Sequence, residues 1–154
     1  MRNARLVLLL ALTVFVLGCG GGRKLAGTWN ASGMTGLPPG ATVDLTFTEP
    51  DKMVMKIVSS QDAAGQKMTM TFTVNGTYKL SGNNIEMKAD TVDIQTTGVP
   101  EAQKAMMDSM MEPIKKQMKD EMNKESAQTI EWKSNDEFIA KTKDGKDTTF
   151  KRKS

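Results

Sequence analysis

The chain has 154 residues, 38% hydrophobic and 25% charged, with 21 Lys and Arg against 18 Asp and Glu. That is room for one domain of ordinary size, and it excludes a multi-pass membrane protein. There is no His and a single Cys, which excludes a Ser-His-Asp triad, a Cys-His dyad, His-ligated zinc and a disulfide within the chain.

Residues 1–18 read as a targeting segment. Arg2 and Arg5 give a basic start, and residues 6–17 are an uncharged, mostly apolar run. That run is too short for a membrane span of ~20 residues. Val16-Leu17-Gly18-Cys19 follows its end and resembles the lipobox of bacterial lipoproteins. The resemblance implies cleavage before Cys19, lipid on the Cys19 thiol and a membrane-anchored place in the bacterial cell envelope, facing the periplasm or the exterior. Gly20-Gly21-Gly22 then reads as part of a tether over 19–24. Without Arg2 and Arg5 the charges stand at 19 basic against 18 acidic. Such a balance makes no case for nucleic acid.

The body, 25–154, alternates apolar and polar residues with a period of two. Val43, Leu45 and Phe47 do so, then Met53, Met55 and Ile57, then Met68, Met70, Phe72 and Val74. Ile85 with Met87, Val92 with Ile94, Ile130 with Trp132, Phe138 with Ala140, and Thr148 with Phe150 continue it. This is the pattern of half-buried antiparallel strands, and Thr on the polar face suits a pleated sheet. Eight strands are expected, near 26–31, 42–48, 52–59, 67–80, 84–96, 128–133, 136–142 and 146–152. Asn75-Gly76 invites a hairpin turn, yet the apolar phase passes through it to Tyr78 and Leu80. One long strand bent at Gly76 is therefore expected, with the turn at Ser81-Gly82-Asn83-Asn84. The phase slips between Met87 and Val92, which predicts a bulge or break near Ala89-Asp90.

Eight sequential antiparallel strands can close as an up-and-down barrel. Leu25-Ala26-Gly27-Thr28-Trp29 is similar to the Gly-x-Trp opening of lipocalins and of bacterial lipocalin-like domains. The Gly76-Thr77-Tyr78 segment and the ending Thr149-Phe150-Lys151-Arg152 resemble those domains too. The resemblance implies a mainly β, lipocalin-like barrel in which Arg152 packs on Trp29 at the base.

Residues 100–126 change period and form a Met-rich helical insert. Met107, Met111, Ile114, Met118 and Met122 make one apolar stripe, Pro113 is expected to break or kink it into two short helices or one kinked helix, and Glu112 with Lys116 is an i, i+4 pair. Thioethers are soft ligands, so Met106, Met107, Met110 and Met111 offer an alternative reading as a Cu(I) site, against Met as adaptable packing. No nucleophile, base and orienter assemble, so an enzyme is not expected, and no cofactor is implied. The reading that follows is a lipid-anchored binding protein for a small hydrophobic molecule, lined by Trp29, Phe47, Met70, Phe72, Tyr78, Ile130 and Trp132. The alternative is a structural or protein-interaction lipoprotein with a packed barrel.

Overall fold

A computed structural model describes residues 24–34, 37–63, 66–124, 127–142 and 145–154. The expected signal segment 1–18, the expected lipidation site Cys19 and Gly20, Gly21 and Gly22 of the expected tether lie outside the described residues. Eight antiparallel strands run in chain order: β1 (Gly27–Ser32), β2 (Thr42–Thr48), β3 (Lys52–Ala63), β4 (Gln66–Ser81), β5 (Asn84–Thr97), β6 (Ala127–Trp132), β7 (Glu137–Lys141) and β8 (Asp147–Arg152). One helix, α1 (Glu101–Lys124), lies between β5 and β6. Each strand pairs with the next, and β8 returns to β1 with Trp29 opposite Arg152 and Ala31 opposite Phe150. The sheet is thus a closed ring.

Alternation explains the interior. On β2, Val43, Leu45 and Phe47 are buried while their neighbours are not, and Met53, Met55 and Ile57 repeat this on β3. Trp29, Val74, Ile85, Ile130, Phe138 and Phe150 join them in one core. Sequestering each such side chain contributes roughly 1.5–3 kcal/mol.

The long strand through Asn75-Gly76 is present, and those two residues make no turn. Gly76 lies opposite both Met53 and Ala89. A Cβ on it would fall 2.0 Å from the Lys88 carbonyl oxygen and 3.0 Å from Met53 Cε. Only a residue without a side chain lets β5 approach so closely. Beside it the register shifts: Asn75 faces Thr91, Gly76 faces Ala89, and Asp90 is the extra residue. That bulge accounts for the slipped phase, because Ile85, Met87 and Ala89 are buried before it and Val92 and Ile94 turn inward after it.

Among the described residues, β6 meets β5 only at Asn84–Glu86, although β5 continues to Thr97. Helix α1 packs along β5. The Asn123 carboxamide accepts from the Ala89 N–H (2.8 Å) and donates to the Ala89 carbonyl (3.2 Å). Lys119 donates to the Asp90 carbonyl at 2.6 Å. These bonds satisfy backbone groups that a neighbouring strand would otherwise take.

α1 is one helix with Pro113 inside it. Two expectations about it are corrected. Ile114 is 41% exposed, and Lys115 takes the inward position between Met111 and Met118. A lysine stem covers apolar surface while its ammonium reaches out, here to Glu112 at 2.6 Å. Glu112 accordingly pairs with Lys115 rather than with Lys116.

Candidate functional site

Trp29 has no exposed surface. Its indole N–H donates to the Leu25 carbonyl at 2.7 Å. Phe138 stands edge-on to it at 4.7 Å and Trp132 at 6.0 Å, while Phe150 stacks on Phe138 at 4.8 Å. The Arg152 guanidinium covers the Trp29 ring at 4.1 Å. It also donates to the carbonyls of Ala26 (2.8 Å) and Lys24 (2.7 Å) and to the Asp136 carboxylate (3.0 Å). Gly27 makes room for it, since a Cβ there would lie 2.4 Å from Arg152 Nη1 and its φ is +127°. A Gly two residues before the Trp is thus required by the cation that packs on the Trp.

The structure spreads the seven residues expected to line a hydrophobic cup over different degrees of burial. Trp29, Phe47 and Ile130 are buried in the packed core, and Phe72, Tyr78 and Trp132 are half-buried against it. Tyr78 meets Phe47 edge-on at 4.8 Å. It also borders a hollow of about 560 Å³ whose lining mixes Lys24, Glu49 and Asp51 with Leu25, Pro50 and Leu80. Burial, then the charges of Glu49 and Asp51, pushes the Tyr78 phenol above its ordinary value of 10.0. Met70 is half-buried farther along β4, where it faces Ser59 and Thr96.

The four methionines of the expected thioether cluster are also divided. Met106 and Met110 are 69% and 55% exposed, whereas Met107 and Met111 are half-buried.

A different set of residues makes a cleft. It has a volume of about 360 Å³ and lies between α1 and the ring. Its walls are Met34 and Leu37 from the β1–β2 connection, Met55 and Ile57 from β3, Met87 from β5, and Met118 and Met122 from α1. Glu121, Lys124 and Gln128 complete the lining with polar groups. None of the seven residues expected for the cup takes part. Met118 and Met122 are one helical turn apart, and the Asn123–Ala89 bonds hold them beside Met87. Five of the thirteen methionines of the chain therefore meet at one place. Unbranched thioether side chains can re-pack around guests of different shape.

Several carboxylates elsewhere are held in ion pairs. Glu131 pairs with Lys133 and with Lys141. Hydrogen bonds from both lysines, followed by their charges, hold its carboxyl at about 2, below the ordinary 4.5. A depressed carboxyl stabilises the fold above its unfolded value, and that stabilisation disappears as pH falls toward the folded value. Carboxyl chemical shifts should therefore give Glu131 a midpoint near 2. Any stability difference between the chain and Glu131→Gln, followed by urea unfolding, should vanish as pH falls from about 4.5 to about 2. A midpoint at an ordinary carboxylate value would contradict the pairing. Asp136 meets Arg152, and Asp44 accepts from Lys153 at 2.7 Å. Among the described residues no group of three or more Cys, Asp or Glu converges as a metal site.

Neither the family models nor the curated proteins compared with the chain match it.

Proposed function

We propose that this chain is a lipoprotein anchored through Cys19 to a membrane of the bacterial envelope, with a lipocalin-like barrel that binds a small hydrophobic molecule in the methionine-lined cleft. The observation that carries the reading is the cleft itself, apolar along its floor and walls with a few polar groups. Its volume of about 360 Å³ falls within the range of roughly 300–1,000 Å³ usual for small-molecule sites. The lipobox-like Val16-Leu17-Gly18-Cys19 supports the anchor. The strand order and the Arg152–Trp29 packing support the lipocalin-like reading. No aromatic residue stands among the walls of the cleft, so a guest meets aliphatic and thioether side chains. The role is binding rather than catalysis.

Native mass spectrometry of the chain purified from membranes in amphipol tests this. The expected result is an added organic mass, released by mild activation, that disappears in Met87→Glu, which puts a carboxylate into the apolar wall. A bare mass, or an added mass unaffected by Met87→Glu, would remove the cleft as the site. A bare mass would favour the second reading, a packed barrel that serves protein interaction, for which exposed Met106, Met110 and Ile114 on α1 speak.

A further inference from the structure

We propose that the same cleft holds one soft monovalent cation, Cu(I), on thioether sulfurs drawn from Met34, Met55, Met87, Met118 and Met122. The proposal goes beyond the binding of an apolar molecule and does not depend on it. Three observations carry it.

The first is convergence. The five methionines come from four separate segments of chain, a connection, two strands and a helix, yet all line one cleft. Met55 and Met87 are nearly fully buried, at 6% and 9% exposure, and Met118 and Met122 pack against the same core. The second is the donor set. Thioethers are neutral and soft, and they select Cu(I) over hard ions such as Mg²⁺ or Ca²⁺, which demand oxygen ligands. The body of the chain has no His and no Cys, so its soft donors are its methionines. The third is charge. Glu121 and Lys124 border the cleft together and offset one another, so the walls carry little net charge. A monovalent ion enters such surroundings at far lower desolvation cost than a divalent one. Met side chains are long and unbranched, with three rotatable bonds that let their sulfurs re-aim within the cleft they share. The ion arrives and leaves as Cu(I), and no electron is exchanged.

The chain purified from membranes in amphipol is titrated anaerobically with Cu(I) buffered by bicinchoninate. The expected uptake is one ion per chain. The double variant Met118→Leu with Met122→Leu keeps side-chain size and apolarity while removing two donors. Its affinity should fall by at least about 100-fold, since losing even an outer partner of a metal site costs up to that. The variant Met106→Leu with Met110→Leu, which removes the exposed thioethers, should bind as the unaltered chain does. No uptake by the unaltered chain, undiminished uptake by the cleft variant, or loss in the outer variant would each overturn the proposal. Should the cleft variant fail to fold, the unaltered chain decides through ¹³C-methyl methionine spectra with Ag(I) as a diamagnetic stand-in. Shifts confined to the cleft methyls support the site, and shifts led by Met106 and Met110 overturn it. Native mass spectrometry of the cleft variant separates the two readings, because an apolar guest should stay when Cu(I) uptake is lost.

Discussion

Replacing Trp29 with alanine is expected to destabilise the fold by about 4 kcal/mol, in the range for truncating a buried aromatic. The side chain is wholly buried between Phe138, Trp132 and the Arg152 guanidinium. Truncation leaves a large cavity, an unpaired Leu25 carbonyl and an Arg152 without its ring. Of these the cavity weighs most, since the guanidinium keeps its bonds to Ala26, Lys24 and Asp136. Trp29→Phe should cost clearly less, since it keeps most of the buried surface and loses chiefly the 2.7 Å bond to Leu25. Urea unfolding followed by far-ultraviolet circular dichroism measures both. A loss below about 1 kcal/mol for Trp29→Ala would mean that the ring is not packed around this residue.

Gly76→Ala is expected to cost about 3 kcal/mol or more, although it adds a single methyl group. That methyl would meet the Lys88 carbonyl oxygen at 2.0 Å. The obstacle is backbone and cannot rotate away, and it belongs to the stretch where β5 bulges at Asp90. Relief requires β4 and β5 to separate, which also disturbs the Ala89 bonds to Asn123. Gly40→Ala is a useful contrast. Its φ is +76°, and nothing lies within 4 Å of the new Cβ. Only the left-handed conformation is penalised there, at roughly 1–2 kcal/mol. The two variants separate steric overlap from conformational strain by thermal unfolding. Amide exchange should additionally speed up at Lys88–Asp90 in Gly76→Ala and not in Gly40→Ala.

Much of the ring was legible because each strand carries its own pattern. The period of two needs only neighbouring residues, and it located all eight strands. It also carried the apolar phase through Gly76 against the turn preference of Asn-Gly. The interruption between Met87 and Val92 announced the bulge for the same reason. The helix was harder to orient. Ile114 belongs to the apolar stripe by residue type, but the long stem of Lys115 does as well against the sheet. A pattern of apolar and polar letters cannot rank the two. The cleft was not legible at all. Its lining is spread from Met34 to Gln128, and no spacing along the chain relates Met34, Met55 and Met87 to Met118 and Met122. Large inward aromatics were taken as walls, while the closed ring uses Trp29 and Phe47 as filling. The link between Gly27 and Trp29 acquires its physical meaning only with Arg152 in place, a residue more than 120 positions away.

The carboxamide of Asn123 on the backbone of Ala89 bears on how the open margin of β5 is guarded. Beyond Glu86 the outer margin of β5 offers donors and acceptors of the kind that recruit a strand from another chain. With α1 in place the Ala89 N–H and carbonyl and the Asp90 carbonyl are capped by side chains, so that stretch offers no template to a passing strand. If the helix lifts away, the margin opens together with the apolar floor beneath it, and the two most adhesive surfaces of the protein appear at once. Resistance to self-association therefore rests on a few polar contacts at the C-terminal end of α1, and conditions that loosen that end should produce aggregates well before the ring itself unfolds.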